Sequence, residues 1–184
     1  MSTEKSLLPG ATRDLAAFAA KLQYNDIPRE AIERMKLSVL DSIGCCIFGA
    51  TLPWTRKVAA LALAEGAAPV ASLAGMGKKT SIALAALVNG TGGHAFELDD
   101  IHRKGAMHVG STTLPAIVAL SEVRSGMTGK DFLTAAVAGY EIGPRVGMTM
   151  GPFHLGQGWH SGATVGAFAG AAASASALKL TEAQ

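Results

Sequence analysis

Charge is sparse in this sequence. Charged side chains make up 16% of its 184 residues and the net charge is +2. Lysine and arginine nowhere gather into a stripe that could track phosphates, which argues against a nucleic-acid partner. Cysteine is scarcer still. Cys45 and Cys46 are the only two, adjacent within an apolar helical stretch. Neighbouring helical positions point in different directions, so the pair reads as two small buried side chains rather than a disulfide. A reduced, cytoplasmic setting is the expectation that follows. Long apolar runs are missing too. A membrane-spanning helix takes about 20 mainly apolar residues, whereas the Ser161–Leu178 run is interrupted by Ser161, Thr164, Ser174 and Ser176. We read it as a buried core helix and expect no membrane partner. Residues 1–10 hold Lys5 but no apolar segment of signal-peptide length, so no export signal is visible. The sequence has no Walker loop, no G-x-G-x-x-G after a strand and no G-x-S-x-G elbow.

What is present is apolar and small. Hydrophobic residues reach 49%, much of it alanine, beside 22 glycines. That composition excludes disorder and suits helices whose backbones approach closely. The length fits one domain with a substantial core.

Helical periodicity dominates. Leu15, Phe18, Ala19 and Leu22 mark one face of a first helix, Thr12–Leu22. Pro28 opens a second, with Ile32, Met35, Val39, Ile43 and Cys46 as its stripe and Gly49 at its end. A third spans Pro53–Glu65, stopped by Gly66. Val70–Leu73 is extended and could be a short strand, broken by Gly75 and Gly77. Thr80 or Ser81 then caps a helix through Val88. After an aperiodic stretch, Asn89–Gly110, Ser111 or Thr112 caps a helix to Arg124, with Pro115 in its first turn. Thr128–Arg145 follows, then a loop over Met150–His160 and a last helix, Ser161–Leu178. Gly162, Gly166 and Gly170 on one face of that helix imply that another backbone lies against it, because glycine otherwise costs a helix about 1 kcal/mol each. Thr181 and Gln184 have the spacing of a capping box, so we expect a further helix to begin there and the chain to be truncated. The fold class expected is all-α, a helical bundle over residues 1–184.

The aperiodic stretch carries the candidate chemistry. It reads His94-Ala-Phe-Glu97-Leu-Asp99-Asp100-Ile-His102, then His108-Val-Gly-Ser111. Crowded imidazoles and carboxylates tune one another for proton transfer, and buried acids need partners. His108 stands just before a helix start, where unpaired N–H groups favour an anion. His160 repeats that arrangement before the last helix, whereas His154 lacks it and reads as a surface or structural residue. Two such starts would suit a small di- or tricarboxylate. A metal could in principle sit among His94, Glu97, Asp99 and His102, but H-E-x-x-H is lacking and the acids are bunched too tightly to face one ion from a helix. We therefore assign no metal and no cofactor. The catalytic candidates are His108, His160 and Glu97. The substrate-binding candidates are Asp99, Asp100, His102 and Ser111.

At this cluster the sequence resembles the MmgE/PrpD family. The resemblance rests on Leu40-Asp-Ser-Ile-Gly-Cys, Asn89-Gly-Thr-Gly-Gly-His-Ala and Glu97-Leu-Asp-Asp-Ile-His. His108-Val-Gly-Ser with Leu114-Pro-Ala, and Gly139-Tyr-Glu-Ile-Gly followed by Gly158-Trp-His-Ser, complete it. Two positions differ from the usual pattern: Glu97 stands where aspartate is common and Ile101 where threonine is frequent. The resemblance implies a helical N-terminal domain whose α/β lid domain is absent here, and a homodimer. It also implies metal-free dehydration, decarboxylation or epimerisation of a small polycarboxylate. In it, the positions of His108 and His160 transfer protons or bind substrate, and that of Glu97 lines the pocket. A polycarboxylate lyase is the leading expectation, with an epimerase or isomerase, or a non-catalytic fragment, as the alternatives.

Overall fold

In a computed structural model, which describes residues 10–184, the chain is a bundle of eight α-helices with one small hairpin. The stretch before Gly10, where an export signal was sought, lies outside the described residues. The helices are α1 (Ala11–Lys21), α2 (Arg29–Gly49), α3 (Pro53–Ala64), α4 (Ile82–Gly93), α5 (Val109–Val123), α6 (Gly129–Gly156), α7 (Ser161–Thr164) and α8 (Gly166–Leu178). Strands β1 (Ala71–Leu73) and β2 (Lys78–Thr80) pair antiparallel, with Ser72 opposite Lys79. Gly75 and Gly77 both take positive φ in the turn between them. They close a hairpin rather than merely ending a strand, as glycine does wherever left-handed backbone is required.

α5 is the central helix, touching α2, α4, α6 and α8. Its Leu114 and Ile117 are buried with Ile32 and Met35 of α2, Ala135 and Ala136 of α6, and Ala173 and Ala177 of α8. A second core forms where Ala119 of α5 meets Ala59, Ala62, Leu73, Ala85 and Val88. Glu122 pins the hairpin to α5, accepting from the Ser72 amide (2.7 Å), the Ser72 hydroxyl (2.6 Å) and Lys79 Nζ (2.9 Å). Partial burial pushes the Glu122 carboxyl up, but the bonds from Ser72 and Lys79 outweigh it and hold it below its ordinary value.

Small residues set the spacing of the helices. A methyl group on Gly49 of α2 would lie 1.9 Å from the Gly92 carbonyl oxygen of α4. On Gly139 of α6 it would lie 2.9 Å from the Ala169 carbonyl oxygen of α8, and on Gly170 it would lie 3.1 Å from that of Thr112. The close backbone anticipated beside α8 is thus that of α5. Gly162 belongs to the separate α7 and meets only the His160 ring.

Several boundaries differ from the sequence reading. α4 continues five residues past Val88, because Gly90, Gly92 and Gly93 let α2 and α5 pack against it. α5 begins at Val109, not after Ser111 or Thr112, so Pro115 lies inside the helix rather than in its first turn. α6 runs on to Gly156 through the anticipated loop, and the last helix breaks at Val165. On α2 the buried face turns to Ser42, Cys45, Cys46 and Gly49, leaving Ile43 exposed. At Thr181, backbone N–H and hydroxyl both donate to Gln184 Oε1 (3.0 and 3.1 Å), one half of the anticipated box. Among the described residues no single helix is long and apolar enough to cross a membrane. α2 and α3 pass that test only as a pair, bent by 86°.

Candidate active site

Three helix ends converge on one cleft. His94 is the residue after α4, His108 the residue before α5 and His160 the residue before α7. The cleft, about 710 Å³, is lined by these histidines with Trp54, Ser111 and Thr112. The His94 ring centroid lies 4.4 Å from that of His108 and 5.7 Å from that of His160. A second hollow of about 720 Å³ between α1, α6 and α8 has alanine as its commonest wall residue and holds no histidine.

Two carboxylates grip the first two imidazoles from opposite sides. Asp99, its side chain only 1% exposed, sets Oδ1 3.0 Å from His94 Nδ1 and 3.3 Å from His108 Nδ1. The first is a hydrogen bond. The second is out of line for one, so His108 Nδ1 is a buried nitrogen without a hydrogen-bond partner. Glu97, whose side chain is 71% exposed, sets one oxygen 3.3 Å from His94 Nε2 and the other 3.7 Å from His108 Nε2. Its backbone takes the left-handed conformation, φ 57°. That costs a residue with a Cβ about 1–2 kcal/mol, and such strain gathers where a side chain must be aimed. The loop is tied down by Trp54, whose indole N–H donates to the Ala95 carbonyl (3.1 Å).

Behind this layer Asp100 organises the start of α5. Its Oδ1 accepts from the Gly110 amide (2.8 Å) and its Oδ2 from the Tyr140 hydroxyl (2.8 Å). A first-turn amide of α5 is thus satisfied from a distance, as a capping side chain would do it. Burial, followed by the Asp100 charge, pushes the Tyr140 phenol far above its ordinary value and keeps it a donor. Gly110 has no room for a side chain, since an added methyl would meet Ser42 Oγ at 2.3 Å and Asp100 Oδ1 at 2.8 Å.

Of the seven residues singled out in the sequence, His108, His160 and Ser111 line the cleft, Glu97 bridges two of its histidines and Asp99 is buried behind them. Asp100 and His102 lie outside its walls. His102 Nδ1 accepts from the Gly105 amide (3.0 Å) and closes the 3₁₀ turn Arg103–Gly105. His94 is the residue that reasoning from the sequence left out of the site set. Its signal was present, five residues before Asp99, but the pairing with Asp99 shows only in three dimensions. His154 of α6 bonds Thr164 Oγ1 of α7 through Nε2 (2.7 Å) and stacks on Trp159 in the turn between them.

A bundle of this kind, with histidine and carboxylate motifs in this order, defines the class: residues 13–184 match the MmgE/PrpD N-terminal domain, and the chain belongs to that family. Among its relatives, the cis-aconitate decarboxylase of Aspergillus terreus is 37% identical over 185 residues, covering 98% of this chain and 38% of the relative. The cis-aconitate decarboxylase-like protein oryM of Aspergillus oryzae is 37% identical over 177 residues, covering 92% and 37%. The chain therefore spans a little over a third of the length of the curated relatives it matches.

Proposed function

We propose that this domain supplies the proton-transfer face of a lyase acting on a small polycarboxylate, by dehydration or decarboxylation next to a carboxylate. The observation that carries this reading is the His94–Asp99–His108 cluster, bridged by Glu97 and opening on the cleft with His160. The 37% identity to a protein named for decarboxylation of cis-aconitate supports the substrate class.

In such a reaction a bond beside the carboxylate breaks, its electron pair stays on carbon or leaves with oxygen, and a proton must be delivered or removed. An imidazole held between two carboxylates can do either, because it has a donor and an acceptor nitrogen and the carboxylates orient the ring. His108 is the proton carrier in this scheme, Glu97 and Asp99 hold it, and His160 faces the substrate from the residue before α7. Ser111, in the first turn of α5, offers a hydroxyl and the positive end of a 15-residue helix to a substrate carboxylate.

The test is a turnover screen on a protein that contains this domain with the remainder found in its longer relatives. Citrate-, aconitate- and aspartate-like acids would be followed by NMR in D₂O. Release of water or CO₂ from one of them is the expected result. Exchange or inversion at carbon without either release would identify an epimerase, and no change in any acid would overturn the reading.

A further inference from the structure

The four ring nitrogens of His94 and His108 gather around two carboxylates. Both Nε2 atoms face Glu97, at 3.3 and 3.7 Å, and both Nδ1 atoms face Asp99 Oδ1, at 3.0 and 3.3 Å. Neither Nε2–Glu97 contact is a hydrogen bond, whereas His94 Nδ1 is bonded to Asp99 Oδ1. Both Nδ1 atoms converge on one buried carboxylate oxygen, and His108 Nδ1 is a buried nitrogen with no hydrogen-bond partner. A cation that displaces the proton between His94 and Asp99 would be held by both rings and the carboxylate at once.

We propose that His94 Nδ1, His108 Nδ1 and Asp99 form a binding site for a divalent transition-metal ion of the Zn²⁺ class, with Glu97 orienting both rings from outside. Tetrahedral zinc with nitrogen and oxygen ligands about 2.0–2.1 Å away places neighbouring ligand atoms roughly 3.3 Å apart. Two of the separations, 3.0 and 3.3 Å, are close to that value, and one ligand atom from each of the three residues lies within 4.8 Å of the others. Drawing the two Nδ1 atoms together completes the triangle. Two imidazoles and one carboxylate select Zn²⁺, Co²⁺ or Ni²⁺ over Mg²⁺ or Ca²⁺, which prefer all-oxygen shells. The fourth position opens on the cleft that His94 and His108 line, where water or a substrate carboxylate completes the shell. An ion there holds the His108 imidazole that proton transfer uses, so it and proton transfer at this site exclude one another. Ion binding needs no turnover, and the titration below stands whether or not the domain acts as a lyase.

The experiment is a Co²⁺ titration of the 184-residue chain, freed of metal, read by the visible absorption of four-coordinate cobalt and followed by displacement with Zn²⁺. One saturable ion per chain is expected. His94→Gln and His108→Gln should each weaken it by about tenfold or more, and Glu97→Gln by about 10- to 100-fold, the usual effect of losing a carboxylate behind a ligating imidazole. His154→Gln should leave it unchanged. Circular dichroism identifies any variant that has lost its fold, and the exposed Glu97 provides a change outside the buried layer. Absence of saturable binding in the wild-type chain overturns the proposal. So does binding that persists undiminished in folded His94→Gln and Glu97→Gln, which would place the ion elsewhere.

Discussion

Replacing Gly49 with alanine should separate the helices that carry the site. The added methyl would sit 1.9 Å from the Gly92 carbonyl oxygen, 2.5 Å from its carbonyl carbon and 2.7 Å from its Cα, all backbone. No side chain can swing aside, so α2 and α4 must move apart. Overpacking of a tight core costs about 1–3 kcal/mol, and a backbone contact this close belongs at the upper end, about 3. Alanine returns at most about 1 kcal/mol in helix propensity. The net loss is about 2 kcal/mol, which for a chain of this length lowers Tm by about 4–8 °C. Gly44 is the internal control. It lies on the same helix, exposed, with nothing within 4 Å of an added methyl, so Gly44→Ala should stabilise by about 0.5–1 kcal/mol. Thermal and urea unfolding of both variants by circular dichroism decides the matter. A Gly49→Ala chain as stable as Gly44→Ala would show that α2 and α4 do not cross as closely as described.

Three further outcomes follow from the packing. Tyr140→Phe leaves Asp100 Oδ2 without its hydroxyl donor, and losing a hydrogen bond to a charged group costs about 1.5–3 kcal/mol; a change within error on urea unfolding would remove Tyr140 from the support of α5. Burial first, then the neighbouring Cys45, pushes the Cys46 thiol up to about 12 from an ordinary value of 9, so folding keeps a proton that the unfolded chain sheds. Its contribution to stability is complete below pH 9 and is lost as pH rises from there toward 12, and neither buried cysteine should react with iodoacetamide at pH 8 in the folded chain; rapid alkylation would contradict the burial. Asp131 is held well below the carboxylate range, first by the Lys179 hydrogen bond and then by Thr128, so its contribution is present above its ordinary value of 3.8 and is lost as pH falls below it. Asp131→Asn should flatten the acid limb of the stability profile, and an unchanged limb would count against the pairing.

Where the sequence reading succeeded, local rules and tertiary packing agree. Pro53 and Gly66 bracket α3, and Ser81 caps α4 by accepting from the Leu84 amide. It erred where a distant residue overrides a local signal. Ser111 and Thr112 have the hydroxyls of helix caps, yet Thr112 bonds back to the carbonyls of His108 and Val109, while Asp100 takes the amide of Gly110. Glycines at 90, 92 and 93 look like loop residues, but they are the places where α2 and α5 approach α4. β2 escaped notice because Lys78 and Lys79 are polar and exposed, and its strand exists through pairing with β1. At the site, the residue types and their crowding were legible. The division of labour was not: Asp99 serves the cleft histidines and Asp100 the helix start, although they are adjacent. The left-handed backbone that turns Glu97 toward both rings leaves no mark in the sequence.

The central claim is that His108 carries a proton in the cleft, and it is tested by comparing His108→Ala with His154→Ala in a protein that contains this domain with the remainder found in its longer relatives. His108 precedes α5 without capping it through its side chain, so alanine there should spare the fold. His154 bonds Thr164 and stacks on Trp159 outside the cleft, so its loss reports packing alone. Activity of His108→Ala should fall by about 100-fold or more, the usual range for a general acid or base, while His154→Ala stays within a few-fold of wild type. Equal activities in the two variants, both folded by circular dichroism, would contradict the account.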